Sequence, residues 1–214
     1  MTRTGSEPRT IARFGRTERL LHWVHASSFL VLLATGLALY LPDLAELVGR
    51  RPLLKGLHLW TAAAWAVALL LAVALGDRRR LAADWREIER IDADDRRWLR
   101  GGHAASGRFN AGQKLNALLT AAFAVLFAVS GLLIWLGERD HRFLLEGAGP
   151  VHVVLTWLSV LLLTGHLYLA VVHPRTRHAL RGMTRGDVRL DWAAEHHGRW
   201  VQEELRHGEA DSRT

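Results

Sequence analysis

Residues 147–174 read GAGPVHVVLTWLSVLLLTGHLYLAVVHP. These 28 residues contain no Asp, Glu, Lys or Arg. That exceeds the roughly 18 that make a transmembrane-helix candidate, because a bilayer core of about 30 Å takes about 20 residues at about 1.5 Å each. Two imidazoles interrupt the run. His152 and His166 stand 14 residues apart, a spacing about 40° short of four helical turns with a rise of about 21 Å. One helix therefore presents both to the same face at opposite membrane depths.

Three more charge-free runs precede it: Leu20 to Pro42 (23 residues), Gly56 to Gly76 (21) and Leu115 to Gly137 (23). The four runs hold 95 of the 214 residues and leave nearly all the charge to the rest, so a mean hydropathy of +0.05 conceals a membrane protein. The expected fold is an all-α membrane protein, a four-transmembrane-helix bundle with helices at about 20–42, 56–76, 115–137 and 147–174. Lys plus Arg number 5 before the first run, 10 between the second and third and 8 after the fourth, against 3 and 2 in the other two connections. The positive-inside bias then puts both termini in the cytoplasm, with residues 1–19 as an N-terminal segment and 175–214 as a C-terminal tail. The basic balance is thereby explained by topology, and no nucleic-acid site is read from it. The first run is too long for a signal-peptide core and lacks a small-residue cleavage site, so it is expected to be retained. With no Cys there is no disulfide, thiolate metal site, self-ligated iron–sulfur cluster or thioether-linked haem. No internal repeat or low-complexity segment is evident.

Outside the runs, helix formation is expected from near Phe14, and Leu41-Pro42 should end the first span in a brief outer loop. Residues 77–114 form a long inner connection. In it Leu81, Trp85, Ile88 and Ile91 recur at roughly helical spacing, which fits a short amphipathic surface helix as well as a solvated connector. In the tail, Trp192 and Trp200 are the expected contact points for the membrane surface or a partner. His103, His141, His178, His196, His197 and His207 read as solvated, and His173, beside Pro174, as interfacial.

Ionisable groups inside a membrane span are expensive and mark function. Here they are histidines alone: His22, His25, His58, His152, His166 and His173. A proton or ion path would bring carboxylates, so bare imidazoles point to metal or cofactor ligation, although a single one often only hydrogen-bonds between helices. One helix with two histidines at this spacing offers an axial ligand to each of two stacked haems, given partners from other helices. His58, at the outer end of the second run, is level with His152. The partner of His166 must come from the first run, where two candidates compete. His166 lies about 12 Å in from the run end, His25 about 9 Å and His22 about 4 Å, so depth favours His25. Against it, Gly36 follows His22 by 14 residues and would clear space for a macrocycle, where Leu39, the equivalent from His25, would obstruct it. Ala72 follows His58 by the same interval. The clearance argument selects His22, with helix tilt absorbing the depth mismatch. The third run has no histidine and would only pack.

Several motifs carry a resemblance: Arg19-x-x-His22-Trp23, Leu57-His58, Phe109-Asn110-Ala111-Gly112-Gln113-Lys114, His152, His166-Leu167-Tyr168, Arg181-Gly182-Met183 and the tail His196-His197-Gly198-Arg199-Trp200. Over almost its whole length the chain resembles the gamma subunits of respiratory formate dehydrogenases, within the wider bacterial di-haem four-helix cytochrome b family. The first motif is shared with hydrogenase cytochrome b subunits; the Asn-Ala-Gly-Gln-Lys segment and the tail are more specific. Phe109 stands where that family usually has Tyr. The resemblance implies two haem b groups, with His22 and His166 holding the inner iron and His58 and His152 the outer. It also implies a quinone site (menaquinone or ubiquinone) bordered by Asn110, Gly112 and Gln113. Physical chemistry agrees that a helix start offers amide donors to developing negative charge, but Asn110 as a simple N-cap with Lys114 snorkelling to the surface accounts for the same residues.

The implied partners are an iron–sulfur beta subunit, a catalytic alpha subunit with a molybdenum or tungsten pterin, lipid and quinone, in the bacterial inner membrane. The chain has no chemistry for formate itself and is expected to be an electron-transfer subunit. The competing readings are the cytochrome b of a hydrogenase or other oxidoreductase, a haem-free membrane anchor, and a quinone-linked scavenger acting alone.

Overall fold

The computed structural model describes residues 9–102 and 104–211; residues 1–8, His103 and residues 212–214 lie outside them. Among the described residues the elements run β1 (Thr10–Ala12), α1 (Arg16–Tyr40), α2 (Pro42–Val48), α3 (Arg51–Leu75), α4 (Arg78–Glu89), α5 (Ala93–Leu99), α6 (Ala111–Gly137), α7 (Ala148–Leu167), α8 (Leu180–Thr184), β2 (Asp187–Arg189), α9 (Leu190–His196) and α10 (Gly198–Asp211). Each charge-free run is a helix long and apolar enough to cross a membrane. Large apolar side chains such as Trp60, Leu70, Leu75, Val125 and Leu161 stand exposed along these spans, as a surface solvated by lipid tails requires. Pro42 begins α2 at its first position, so the first outer connection is a short helix where a loop was expected. Ahead of Pro174, α7 widens through Tyr168–Val172 into a π-turn, with the His173 N–H reaching the Tyr168 carbonyl.

The chain divides into two compact units. The first comprises Arg16–Ala82 and Ala128–Thr156. In it α1 and α3 pack antiparallel: Thr17 Oγ1 accepts the Asp77 N–H, Trp65 meets His25, and Thr35 meets His58. Glu18, buried, pairs with Arg80 at 2.5 Å, and Lys55 pairs with Glu138 at 2.6 Å.

The second unit comprises the segment up to Gly15, Ala83–Phe127 and Trp157 onward. Its small core is Val188, Trp192, Ala193, Trp200 and Val201, with Ile11, Ala179 and Leu190 packed around it. β1 pairs antiparallel with β2, Ile11 opposite Val188. Gly186, at φ 94°, turns its carbonyl to take both the Arg13 and Phe14 N–H groups at 2.8 and 3.0 Å, in a backbone conformation that favours glycine. Two expectations are corrected here. Trp192 and Trp200 are interior side chains and not surface contacts, because the strand pair supplies the apolar partners that the tail lacks alone. Helix α1 starts at Arg16, and Phe14 is buried before it. Of the two readings of the inner connection, the amphipathic helix is the one observed, with Ile88 buried on α4 and Trp85 exposed.

Candidate functional site

In the first unit His58 and His152 face each other with ring centroids 6.4 Å apart and planes at 64°. Two imidazoles in line across one metal, with bonds of about 2 Å and roughly 1.2 Å more to each ring centre, put the centroids about 6.4 Å apart. Among the described residues no group of three or more His, Cys, Asp or Glu gathers as a metal cage, so a metal held by this pair would take its remaining ligands from a bound group.

Neighbouring helices orient both rings. Thr35 Oγ1 lies 2.9 Å from His58 Nδ1, and its own proton goes to the Val31 carbonyl at 2.7 Å. The hydroxyl oxygen therefore accepts the Nδ1–H, which leaves the Nε2 lone pair for a metal. Ser130 Oγ stands 2.9 Å from His152 Nδ1. A glycine follows each hydroxyl residue. A Cβ on Gly36 would lie 3.4 Å from His58 Cε1, and one on Gly131 would lie 3.4 Å from His152 Cε1. Gly36, singled out for macrocycle clearance, thus lies against an imidazole. Thr35, Ser130 and Gly131 were missed. Their signal was a hydroxyl–glycine dipeptide whose hydroxyl residue lies 23 or 22 positions before each histidine.

On α1 the two candidates differ. The Trp65 indole N–H donates to His25 Nδ1 at 3.3 Å, and Phe29 stacks on the same ring at 5.9 Å. Indole nitrogen only donates, so neutral His25 carries its proton on Nε2. His22 is half-buried, edge-on to Trp23 at 5.2 Å. His166, in the other unit, is half-buried on α7. Between His152 and His166, seven residues from each, Ser159 is buried with no hydrogen-bond partner for its hydroxyl among the described residues.

The second unit holds the 106–114 segment. Asn110 Oδ1 accepts the Gln113 N–H at 2.9 Å, and Gln113 Oε1 accepts the Asn110 N–H at 3.1 Å, a reciprocal capping box at the start of α6. A Cβ on Gly112 would stand 3.0 Å from the Trp98 ring, so close packing accounts for that glycine. Lys114 does not snorkel. It is 1% exposed, bonded to Asp95 at 2.7 Å and to the Arg90 carbonyl at 3.0 Å, because α5 brings a carboxylate over it. Asp95 also accepts the Asp92 N–H in the capping box that starts α5.

His197, expected in solvent, is 1% exposed. Its Nε2 lies 3.0 Å from Arg13 Nη2 and its Nδ1 2.9 Å from the Gly107 carbonyl. Burial, then the Arg13 charge, holds this imidazole down at about 3. Arg13 is itself lowered to about 10, by burial and then by Arg108. Arg13 Nη2 also reaches the Arg108 carbonyl at 2.7 Å and Gln113 Oε1 at 3.3 Å. Phe14, Trp192 and Trp200 surround the guanidinium at 5.1–5.8 Å from their ring centres. Arg108 pairs with Asp84 and donates to the Arg13 carbonyl.

A family model described as prokaryotic cytochrome b561 matches residues 13–186. Among curated proteins, the cytochrome b556 subunit of formate dehydrogenase from Haemophilus influenzae is 26% identical over 91% of this chain and 84% of its own. From Escherichia coli K12, the formate dehydrogenase cytochrome b556(fdo) subunit is 25% identical over 91% and 93% of the two chains. The nitrate-inducible b556(Fdn) subunit of the same strain is 22% identical over 92% and 93%.

Proposed function

The chain belongs to the prokaryotic cytochrome b561 family, and on that premise we propose that it is the membrane subunit of a respiratory formate dehydrogenase, carrying electrons from a periplasm-facing donor to quinone. As a member it is a multi-pass inner-membrane protein of haem b type. The relatives' names supply the formate dehydrogenase complex, and with it an iron–sulfur subunit and a molybdenum or tungsten pterin subunit. The basic inner segments support cytoplasmic termini flanking a membrane domain at 20–174.

The observation that carries the reading is the His58–His152 pair at the spacing of a bis-imidazole metal site. His58 with His152, and His22 with His166, would hold two haems, which would supply reversible one-electron carriage. This chain's residues do the rest. Thr35 holds the His58 proton on Nδ1, Ser130 stands at the same atom of His152, and Gly36 and Gly131 let the rings lie against their helices. The buried, unpartnered Ser159 hydroxyl, on the helix between the two ligand positions, suits a polar edge of an inserted group. Trp65 occupies His25 as an acceptor, which favours His22 as the inner ligand. Asn110 and Gln113 are the donors offered to quinone at the start of α6, with Gly112 between them.

Haem per chain and the dithionite-reduced spectrum test this in the purified complex. Two low-spin b haems are expected. His58→Ala and His152→Ala should lose the same haem, His22→Ala and His166→Ala the other, and His25→Ala neither. A haem-free chain that still assembles would make it an anchor, and co-purification with a hydrogenase would replace the donor.

A further inference from the structure

We propose that Arg13 and His197 are positioning residues for quinone reduction, holding Gln113 with its carboxamide oxygen turned inward and its Nε2 hydrogens outward as the donor to a quinone carbonyl. This rests on the quinone reading of the Asn110–Gln113 segment. Gln113 Oε1 receives the Asn110 N–H and Arg13 Nη2. Both are obligate donors, so chemistry alone assigns the oxygen to that side, and its two lone pairs are used. Nε2 has no partner among the described residues. Asn110 follows the same rule, its oxygen taken by the Gln113 N–H and its Nδ2 left without a partner.

Arg13 holds this arrangement because it is itself held. Its Nη2 shares two hydrogens among three acceptors, the Arg108 carbonyl, His197 Nε2 and Gln113 Oε1, and three aromatic rings enclose the guanidinium. A guanidinium cannot accept, so His197 Nε2 must, and Nδ1–H then donates to the Gly107 carbonyl. The imidazole stays neutral across the physiological range and acts as a spacer between the cation and the loop. Arg199 adds a second stitch: its N–H donates to the Ser106 carbonyl at 3.2 Å and its side chain meets Asp92 at 3.0 Å. The tail thus fixes the loop that carries Asn110, and the nearby positive charge polarises the Gln113 amide into a stronger donor.

The test is steady-state kinetics of the purified complex with short-chain naphthoquinone and benzoquinone, haem content serving as the check on assembly. Gln113→Glu keeps an inward oxygen for Arg13 and Asn110 but removes the outward donor. His197→Gln and Arg13→Lys disturb the hold. Each should raise quinone KM about five- to tenfold, the value of one lost hydrogen bond, with donor-side haem reduction unchanged. In the Gln113→Glu background, His197→Gln should add little, because the amide it orients is already gone. Unchanged kinetics in Gln113→Glu would sink the quinone reading itself. A KM raised by Gln113→Glu but not by His197→Gln, or effects that multiply in the double variant, would overturn only the positioning role. So would a shifted pH profile in His197→Gln, which would mark a proton donor. If His197→Gln does not assemble, Arg13→Lys is read in its place against the same double variant.

Discussion

Thr35→Val removes one oxygen and keeps the side chain's volume. The oxygen lies 2.9 Å from His58 Nδ1 and takes its proton, so the variant removes the side-chain acceptor of that ring donor among apolar helices, with the Leu32 backbone beside it as the remaining partner. Losing such an acceptor costs about 1–3 kcal/mol where the donor is left poorly satisfied. Loss of an outer partner of a metal-bound imidazole typically weakens the metal site about 10–100-fold, which corresponds to about 1.4–2.8 kcal/mol. The two figures agree, and both predict that the outer haem leaves Thr35→Val about 10–100 times more readily while the inner haem stays. Transfer to excess apomyoglobin, followed at the Soret band, measures this. Thr35→Ser should restore retention, since it returns the acceptor. Thr164→Val is the control, because that hydroxyl donates to the Val160 carbonyl at 2.7 Å and touches no imidazole. Equal outer-haem loss from Thr35→Val and Thr164→Val would refute the tautomer argument.

Gly131→Ala should keep both haems, its Cβ making ordinary contact 3.4 Å from His152 Cε1, whereas Gly131→Leu should displace that ring and lose the haem lost in His152→Ala. Gly36→Leu should do the same through His58, and the reduced spectrum reads both. Asp95→Asn strands the Lys114 charge, whose side chain is 2% exposed, and should destabilise the second unit by about 3–5 kcal/mol; adding Lys114→Met should recover part of that in thermal unfolding. For His197, burial puts the folded value at about 3 against an ordinary 6.5, so the unfolded chain binds the proton more readily. Its contribution is complete above about pH 6.5 and declines as pH falls toward 3, with about 2 kcal/mol gone at pH 5; His197→Gln should flatten the fall in Tm between pH 7.5 and 5.

The membrane helices were legible because lipid imposes a rule that can be read residue by residue: no charge for about 20 positions. The pairing of His58 with His152 was legible because few ionisable groups interrupt those runs. The extramembrane unit was not, for a physical reason. Its contacts join residues 95 to 184 apart, Arg13 to Arg108 and Arg13 to His197, and no local period announces such pairings. Lys114 was read as snorkelling and His197 as solvated, which holds only for groups that the fold does not match. Lys114 with Asp95, Arg108 with Asp84, and Arg13 within its aromatic cage are charges that the fold buries by matching them.

The choice among the intramembrane histidines turns on where each ring carries its proton. Depth along the helix favoured His25, and depth takes no account of neighbours. At His58 the neighbour is a hydroxyl whose own proton is committed to a helix carbonyl, so the ring must donate from Nδ1 and Nε2 is left bare. At His152 a serine stands at the same atom and the same distance. At His25 the neighbour is an indole that can only donate, so Nδ1 accepts and Nε2 is protonated, the wrong nitrogen state for a metal. On the proposed ligation, a side chain on the adjacent helix would sort ligand from structural histidine. The glycine after each hydroxyl residue admits the ring it orients, which is why the two dipeptides Thr35-Gly36 and Ser130-Gly131 recur opposite the two rings that face each other.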